Sequence, residues 1–288
     1  DAGLVPQILK QLKNSFDLVH LHYPFYGGAE WLCFSPTPLV VTYHMDAQTT
    51  GLKSLLQKMY DAIWPRLVFA KAKKIMLVDP SFRESKYLQS IFKDKIIDIT
   101  NGVDLDIFKP QLPNFEGLGL SEVKDKKIIL FVGNILPLKR LDLLIRSLKA
   151  LPDKQVLLLV VGGGYELGKC RQLARDLGVD DRVIFIGPCQ DQQKLVEYYN
   201  IAQCVAIPSD YESFSLVAIE ALACGVPVVA SDLPVFQHKL SQAVFFIPGS
   251  VEGLVQALQK VLFMSVAERQ AISEKGRAVV MANYNWQN

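Results

Sequence analysis

The chain is short of the features that mark several common protein classes. Its five cysteines, Cys33, Cys170, Cys189, Cys204 and Cys224, are odd in number and widely spread, with no C-x2-C pair. That spacing argues against a disulfide framework and against a zinc site, and fits a reducing cytosol. No apolar run approaches the ~20 residues that span a bilayer. Neither sign of charge is in excess: 31 Lys and Arg against 29 Asp and Glu leave a formal net charge of +2. No general attraction to nucleic acid is therefore expected. A secretory signal pattern is missing too, because DAGLVPQILKQLKNSFD reads as an amphipathic helix. There are no internal repeats and no low-complexity tracts. What remains is a chain of 288 residues, 50% hydrophobic and 21% charged, the composition of a soluble globular protein of about two domains.

Apolar runs of strand length alternate with segments of helical period along the whole chain. In the first part, Asp1 to Pro110, helices are expected at Val5 to Asn14, Leu52 to Lys71 and around Arg83 to Ile91. Strands are expected at Leu18 to Leu21, Leu39 to Tyr43, Ile75 to Val78 and Ile96 to Ile99. Pro65 should kink or break the long helix. The Pro-, Gly- and charge-rich stretch from Pro110 to Lys127 reads as a linker into a second domain, 111 to 288. There, strands are expected at Ile128 to Val132, Val156 to Val161, Val183 to Ile186, Cys204 to Ile207, Val228 to Ala230 and Ala243 to Ile247. Helices fall between them at Leu141 to Ala150, Leu167 to Leu177, Gln192 to Ile201 and Leu216 to Cys224. Two more, Glu252 to Val261 and Ala267 to Ala282, close the domain. Strict alternation of this kind means parallel sheets with both faces covered, and ligands bound at the carboxyl ends of the strands.

One stretch concentrates the chemistry, SDYESFSLVAIEALACGVPVVA at 209 to 230. It runs from a strand through a polar turn into a helix, which Gly225 and Pro227 stop. Glu212 lies in the turn and Glu220 in the helix. A helix spanning both would hold them about 12 Å apart at ~1.5 Å per residue. That exceeds the roughly 5 to 9.5 Å of a glycosidase acid pair. Two acids gripping two ends of one elongated ligand fit better. Between them, the backbone N–H groups of Phe214, Ser215 and Leu216 open the helix, a natural seat for phosphate.

The E-x7-E spacing followed by EALACGVPVVAS resembles the donor-binding signature of the retaining glycosyltransferases of family 4. The resemblance implies the GT-B fold, two Rossmann-like doubly wound domains facing across a cleft: an acceptor-side domain over 1 to 110 and a nucleotide-sugar domain over 111 to 288. The motifs that carry it are concentrated between Asn101 and Ser231. It further implies transfer of a sugar from a nucleoside diphosphate to an acceptor hydroxyl, a lipid-linked or free sugar, as in cell-envelope polysaccharide synthesis. Glu212 would contact the donor sugar and Glu220 the ribose. In FVGNILPLKRLDLLI the family commonly has G-R-x4-K, whose arginine and lysine hold the diphosphate. Gly133 and Lys139 match, but Asn134 takes the arginine's place, and Arg140 is the nearest cation to replace it. VVGGGYE resembles the family's V-G-x-G-P turn, with Gly162 and Gly164 letting the backbone approach the donor. A nicotinamide reading of that turn fails, since Leu167 stands where G-x-G-x-x-G needs its last glycine. The IGPC loop, ending at Cys189, would border the base through backbone atoms, which leaves base identity unreadable.

The TYHMD segment resembles the one in which a family histidine, here His44, faces the donor sugar. His20 and His22 share one face of a strand, a geometry that suits metal. With no third ligand nearby in the sequence, they are read as lining the strand end. Asn101-Gly102-Val103-Asp104 resembles the turn leaving the family's first domain. Lys71, Lys73 and Lys74 read as a solvated helix end, with weak peripheral contact to a membrane surface as the alternative. The resemblance implies no cofactor and no catalytic metal, and no D-x-D motif stands at a strand end. The ends read as cut, with the first strand, its glycine loop and most of the returning C-terminal helix absent. Two other readings stand beside this one: another GT-B enzyme such as a sugar-nucleotide epimerase, and a two-domain binding protein without chemistry.

Overall fold

The computed structural model describes residues 16–45, 53–85, 87–88, 90–237 and 240–287. The helix expected at Val5 to Asn14 lies outside them. The chain divides into two compact units, Asp1–Asn101 and Gly102–Asn288.

The first unit carries four strands, β1 (Val19–Tyr23), β2 (Leu39–Tyr43), β3 (Lys74–Leu77) and β4 (Ile96–Asp98). They form one parallel sheet in the order β1-β2-β3-β4. A short helix α1 (Ala29–Leu32) and the long helix α2 (Lys53–Lys71) connect them. Pro65 neither breaks α2 nor ends it. It sits on the buried side of the helix, the side that also carries Val68 and Phe69 into the core. The helix expected around Arg83 to Ile91 is not formed among the described residues. Two 3-10 turns, Pro80–Glu84 and Ser90–Lys95, take its place. Lys71 is not a free surface cation, since its ammonium donates to the Ser35 carbonyl.

The second unit holds six parallel strands, β5 (Lys127–Val132), β6 (Val156–Val161), β7 (Val183–Gly187), β8 (Cys204–Ile207), β9 (Val228–Ser231) and β10 (Val244–Ile247). Their order is β10-β9-β8-β5-β6-β7. Helices α3 (Leu141–Ala150), α4 (Leu167–Asp176), α5 (Gln192–Ile201), α6 (Leu216–Ala223), α7 (Pro234–Gln237), α8 (Val251–Leu262) and α9 (Val266–Asn283) intervene or follow. Side-chain alternation splits the strands between two cores. Ile128 and Leu130 of β5 face α5, α6 and α9, while Ile129 and Phe131 face α3, α4 and α8. That is the period-2 logic of a sheet covered on both faces. Local chemistry sets several helix starts: Asp191 caps α5, Ser250 caps α8, and Ser265 with Glu268 forms a capping box on α9.

The expected division after Pro110 is corrected to Asn101. The N–H of Val103 donates to the Tyr284 carbonyl at 2.8 Å, and that of Trp286 to the Val103 carbonyl at 3.1 Å. Val103 and Phe108 are buried in the second unit's core. The segment after the Asn–Gly turn is therefore structure of the second unit and not linker.

The strand order also places a crevice. From β5 the chain winds outward through β6 and β7, then returns to β8 on the other side of β5 and winds outward again. The loops leaving β5 and β8 thus diverge, which is where doubly wound sheets bind ligands.

Candidate functional site

The loop after β5 begins at Gly133 and that after β8 at Pro208; a hydrogen bond from Asp210 N–H to the Leu138 carbonyl, 2.8 Å, ties them together. Between them lies a cavity of about 210 Å³, lined by Gly133, Asn134, Lys139, Ser209, Glu212 and Val217 among others. The Lys139 ammonium stands 2.7 Å from Glu212 Oε1, with the two side chains 25% and 8% exposed. The Ser209 hydroxyl donates to the same oxygen at 2.7 Å and is itself buried. Two donors converge on Oε1, so the Glu212 carboxylate is held in one orientation.

A second cavity of about 550 Å³ opens beside the first, sharing Val132, Gly133 and Asn134 and reaching Gly162 to Gly164, Pro188 and Cys189. Backbone approaches backbone here. A Cβ on Gly162 would stand 1.9 Å from the Gly133 carbonyl oxygen, and one on Gly164 2.3 Å from that of Ile135. Gly162 and Gly164 also have φ of +147° and +158°. Only glycine satisfies both conditions. The Cys189 thiol turns to its own loop, donating to the Asp191 carbonyl at 3.3 Å.

The turn into α6 is strained. Ser215, its N-cap, has φ 68° and ψ 74°, with no side-chain cap bond. Left-handed geometry in a non-glycine residue costs roughly 1–2 kcal/mol. It leaves the N–H groups of Phe214, Ser215 and Leu216 without partners among the described residues; the first bonded N–H is that of Ala218. Phe214 is buried against Tyr284, ring centroids 5.7 Å apart, which anchors the turn.

Glu212 precedes α6 and Glu220 lies within it, so the E-x7-E pair is split between loop and helix. Glu220 follows Val217, a cavity-lining residue, by one helical turn. Its Oε2 accepts a 2.7 Å hydrogen bond from the Tyr199 hydroxyl of α5. Burial pushes the Glu220 carboxyl above its ordinary value, while the bond from Tyr199 opposes the shift. Arg140 does not turn toward Asn134. Its guanidinium lies on Asp142 at 3.1 Å and Asp210 at 3.0 Å, which leaves Lys139 as the cation in the smaller cavity.

His44 belongs to the first unit, where the sequence had left His20 and His22 without a third partner. The fold sets His44 against His22, with His22 Nδ1 and His44 Nε2 2.7 Å apart and the rings stacked at 5.0 Å. His20 Nε2 meets Thr42 Oγ1 at 2.7 Å. Burial pushes His44 below the ordinary histidine value, and the neighbouring His22 and His20 push in the same direction. His20 is lowered likewise, by burial and then by His22. No group of three or more His, Cys, Asp or Glu among the described residues is arranged to hold a metal. Sequence reasoning missed Ser209, Tyr199 and the His22–His44 contact. Ser209 had a signal, its place at the end of β8; Tyr199 had none, because it reads as one more core residue of α5.

The family model described as glycosyl transferases group 1 matches residues 119–279. The one described as glycosyltransferase family 4 matches residues 1–107. The D-inositol 3-phosphate glycosyltransferase of Mycolicibacterium smegmatis is 36% identical over 80% of this chain and 55% of its own length. That of Mycobacterium leprae is 32% identical over 100% of this chain and 70% of its own length. The chain thus spans about half to two thirds of these curated relatives. Among solved structures, sucrose-phosphate synthase from Thermosynechococcus elongatus superposes with a TM-score of 0.82 at 26% identity, covering 97% of this chain and 72% of that one. Anabaena HepE in complex with UDP-glucose gives a TM-score of 0.82 at 20% identity, covering 98% of this chain and 79% of that one. The fold is that of GT-B enzymes.

Proposed function

The chain belongs to the glycosyl transferases group 1 family, and from that premise we propose that it is part of a retaining glycosyltransferase acting on a nucleoside diphosphate sugar. The observation that carries this reading is the smaller cavity at the β5–β8 crevice. One cation and one buried carboxylate meet there, beside Val217 of the first turn of α6, a helix whose start carries unpaired N–H groups among the described residues.

Lys139 and the N–H groups of Phe214, Ser215 and Leu216 hold the diphosphate and stabilise its charge as it leaves. Glu212 accepts hydrogen bonds from hydroxyls of the donor sugar through Oε2, since Oε1 is already engaged. Glu220 binds the ribose. The glycine pair Gly162 and Gly164, with Gly133 and Cys189, forms the floor of the larger cavity, which suits the nucleoside. With retention, the acceptor oxygen bonds to the anomeric carbon on the face the diphosphate leaves. The bond from that carbon to the phosphate oxygen breaks, and the acceptor's proton passes to the departing phosphate. Asn134 in the usual arginine position weakens the diphosphate grip without removing it. His44 supplies one hydrogen bond to a sugar hydroxyl. The acceptor is a hydroxyl compound, and D-inositol 3-phosphate, named in the relatives, is the first to assay. No helix among the described residues is long and apolar enough to cross a membrane; peripheral contact through the Lys73 and Lys74 region is a further proposal.

The test is calorimetric titration with UDP, GDP, ADP and NAD, on the parent and on Lys139→Ala and Glu220→Ala. UDP leads the panel because it occurs in the HepE complexes. One nucleoside diphosphate should bind and lose about tenfold or more in each variant, ~1.4 kcal/mol. Binding of NAD alone, or unchanged affinity in both variants, would refute the assignment of these residues.

A further inference from the structure

The two donor-site acids are held by different neighbours. Glu212 is fixed by Ser209 of its own loop and by Lys139 of the loop after β5, whereas Glu220 is fixed by a hydroxyl from another helix. Tyr199 is fully buried on α5, its ring packed edge-on against Phe108 with centroids 6.2 Å apart. Its hydroxyl donates to Glu220 Oε2 at 2.7 Å. No protein donor reaches Glu220 Oε1 among the described residues.

We propose that Tyr199 is a positioning residue for nucleotide recognition: by holding Oε2 of Glu220 it fixes the carboxylate and reserves Oε1 for the ribose. This rests on the reading of Glu220 as the ribose-binding acid. The physical case has two parts. A glutamate has three rotatable bonds, and an oxygen already anchored to a rigid phenol leaves little rotamer freedom to lose when the ligand arrives. The phenol also donates to the charged form, so it keeps ionised a carboxylate that burial pushes toward the neutral acid. A neutral Glu220 would be a poorer acceptor for ribose hydroxyls. The other titratable groups nearby are Cys224 on the same helix, its thiol pushed up by burial to about 12, and Arg277 of α9, which donates to the Ala223 carbonyl. With its pKa raised, the Cys224 thiol stays neutral in the acid range.

The experiment compares parent, Y199F and E220Q for binding of whichever of UDP, GDP and ADP the parent accepts, and of its 2′,3′-dideoxy form, between about pH 5 and about pH 8. Y199F removes one oxygen and leaves the ring on Phe108. F108L disturbs that packing without touching the hydroxyl and serves as the packing control. Y199F should weaken the ribonucleotide about two- to tenfold, the worth of one hydrogen bond. The dideoxy form should bind Y199F and parent alike. Ionised Glu220 is the binding form, so affinity falls as pH drops through its pKa. Losing the phenol raises that pKa, and the fall should begin at higher pH in Y199F but not in F108L. Carbon-13 titration of the Glu220 carboxyl should show the same displacement without ligand. If E220Q weakens the ribonucleotide while Y199F changes neither affinity nor titration, the positioning role fails and the ribose reading stands. Equal losses for both nucleotides in Y199F mean a structural role and overturn the proposal. An unchanged E220Q, or no nucleotide bound by the folded parent, removes the ribose reading and this inference with it.

Discussion

Replacing Lys139 with methionine separates what the Lys139–Glu212 pair does for the fold from what it does for a ligand. The variant keeps most of the side-chain volume and deletes the charge. In the parent the two groups stand 2.7 Å apart, with Glu212 only 8% exposed. Without the ammonium, a largely buried carboxylate keeps Ser209 as its sole side-chain donor among the described residues. A buried acceptor deprived of a partner costs about 1–3 kcal/mol, which lowers a melting temperature by about 2–4 °C per kcal/mol in a unit of this size. The ligand loses one charged contact to phosphate, about 1.5–3 kcal/mol, or roughly ten- to a hundredfold in Kd. The double variant K139M/E212Q removes the unpaired charge, and glutamine still accepts from Ser209. Stability should return toward the parent, while nucleotide affinity should stay low. Scanning calorimetry gives the first quantity and isothermal titration the second. A K139M protein that binds nucleotide as tightly as the parent would refute the phosphate role. A double variant no more stable than K139M would refute the assignment of the cost to an unpaired carboxylate.

Three further outcomes follow from the same geometry. Restoring the arginine with N134R should strengthen nucleoside diphosphate binding by about tenfold or more in isothermal titration, because Asn134 lines both cavities and Lys139 is the one cation lining either of them among the described residues; weaker or unchanged binding counts against the diphosphate lying beside residue 134. Gly162→Ala should lower stability by about 2–3 kcal/mol in chemical denaturation and abolish nucleotide binding, since its Cβ would stand 1.9 Å from the Gly133 oxygen at φ +147°. His44 and His20 have depressed values in the folded chain, so their neutral forms contribute stability above the ordinary histidine value. That contribution is lost as pH falls through the folded values, below about 6.5. Proton NMR titration of His44 should therefore find a midpoint under that value, and a midpoint above it contradicts the burial argument.

Much of this protein was determined locally, by forces that act within a few residues of the chain. Strand runs such as Val156 to Val161 and helices such as Gln192 to Ile201 are visible because burial on both sheet faces demands continuous apolar strands, and burial on one face demands helical spacing. The glycines at 133, 162 and 164 are equally legible, since positive φ at all three, and close backbone approach at 162 and 164, exclude other residues. The candidate phosphate seat could be located because a helix start always carries unpaired N–H groups. Where local signals were weak, tertiary contacts decided. Arg83 to Ile91 has helical spacing yet forms turns instead. The division of the units moved to Asn101 because Val103 bonds to Tyr284, far along the chain. Most of all, the partners of the site's ionisable groups came from distant segments: Lys139 to Glu212, Arg140 to Asp210, Tyr199 to Glu220, His22 to His44. Spacing along a chain reports the backbone's own periodicity. Which oxygen meets which proton depends on how elements pack, and that is a property of the folded whole.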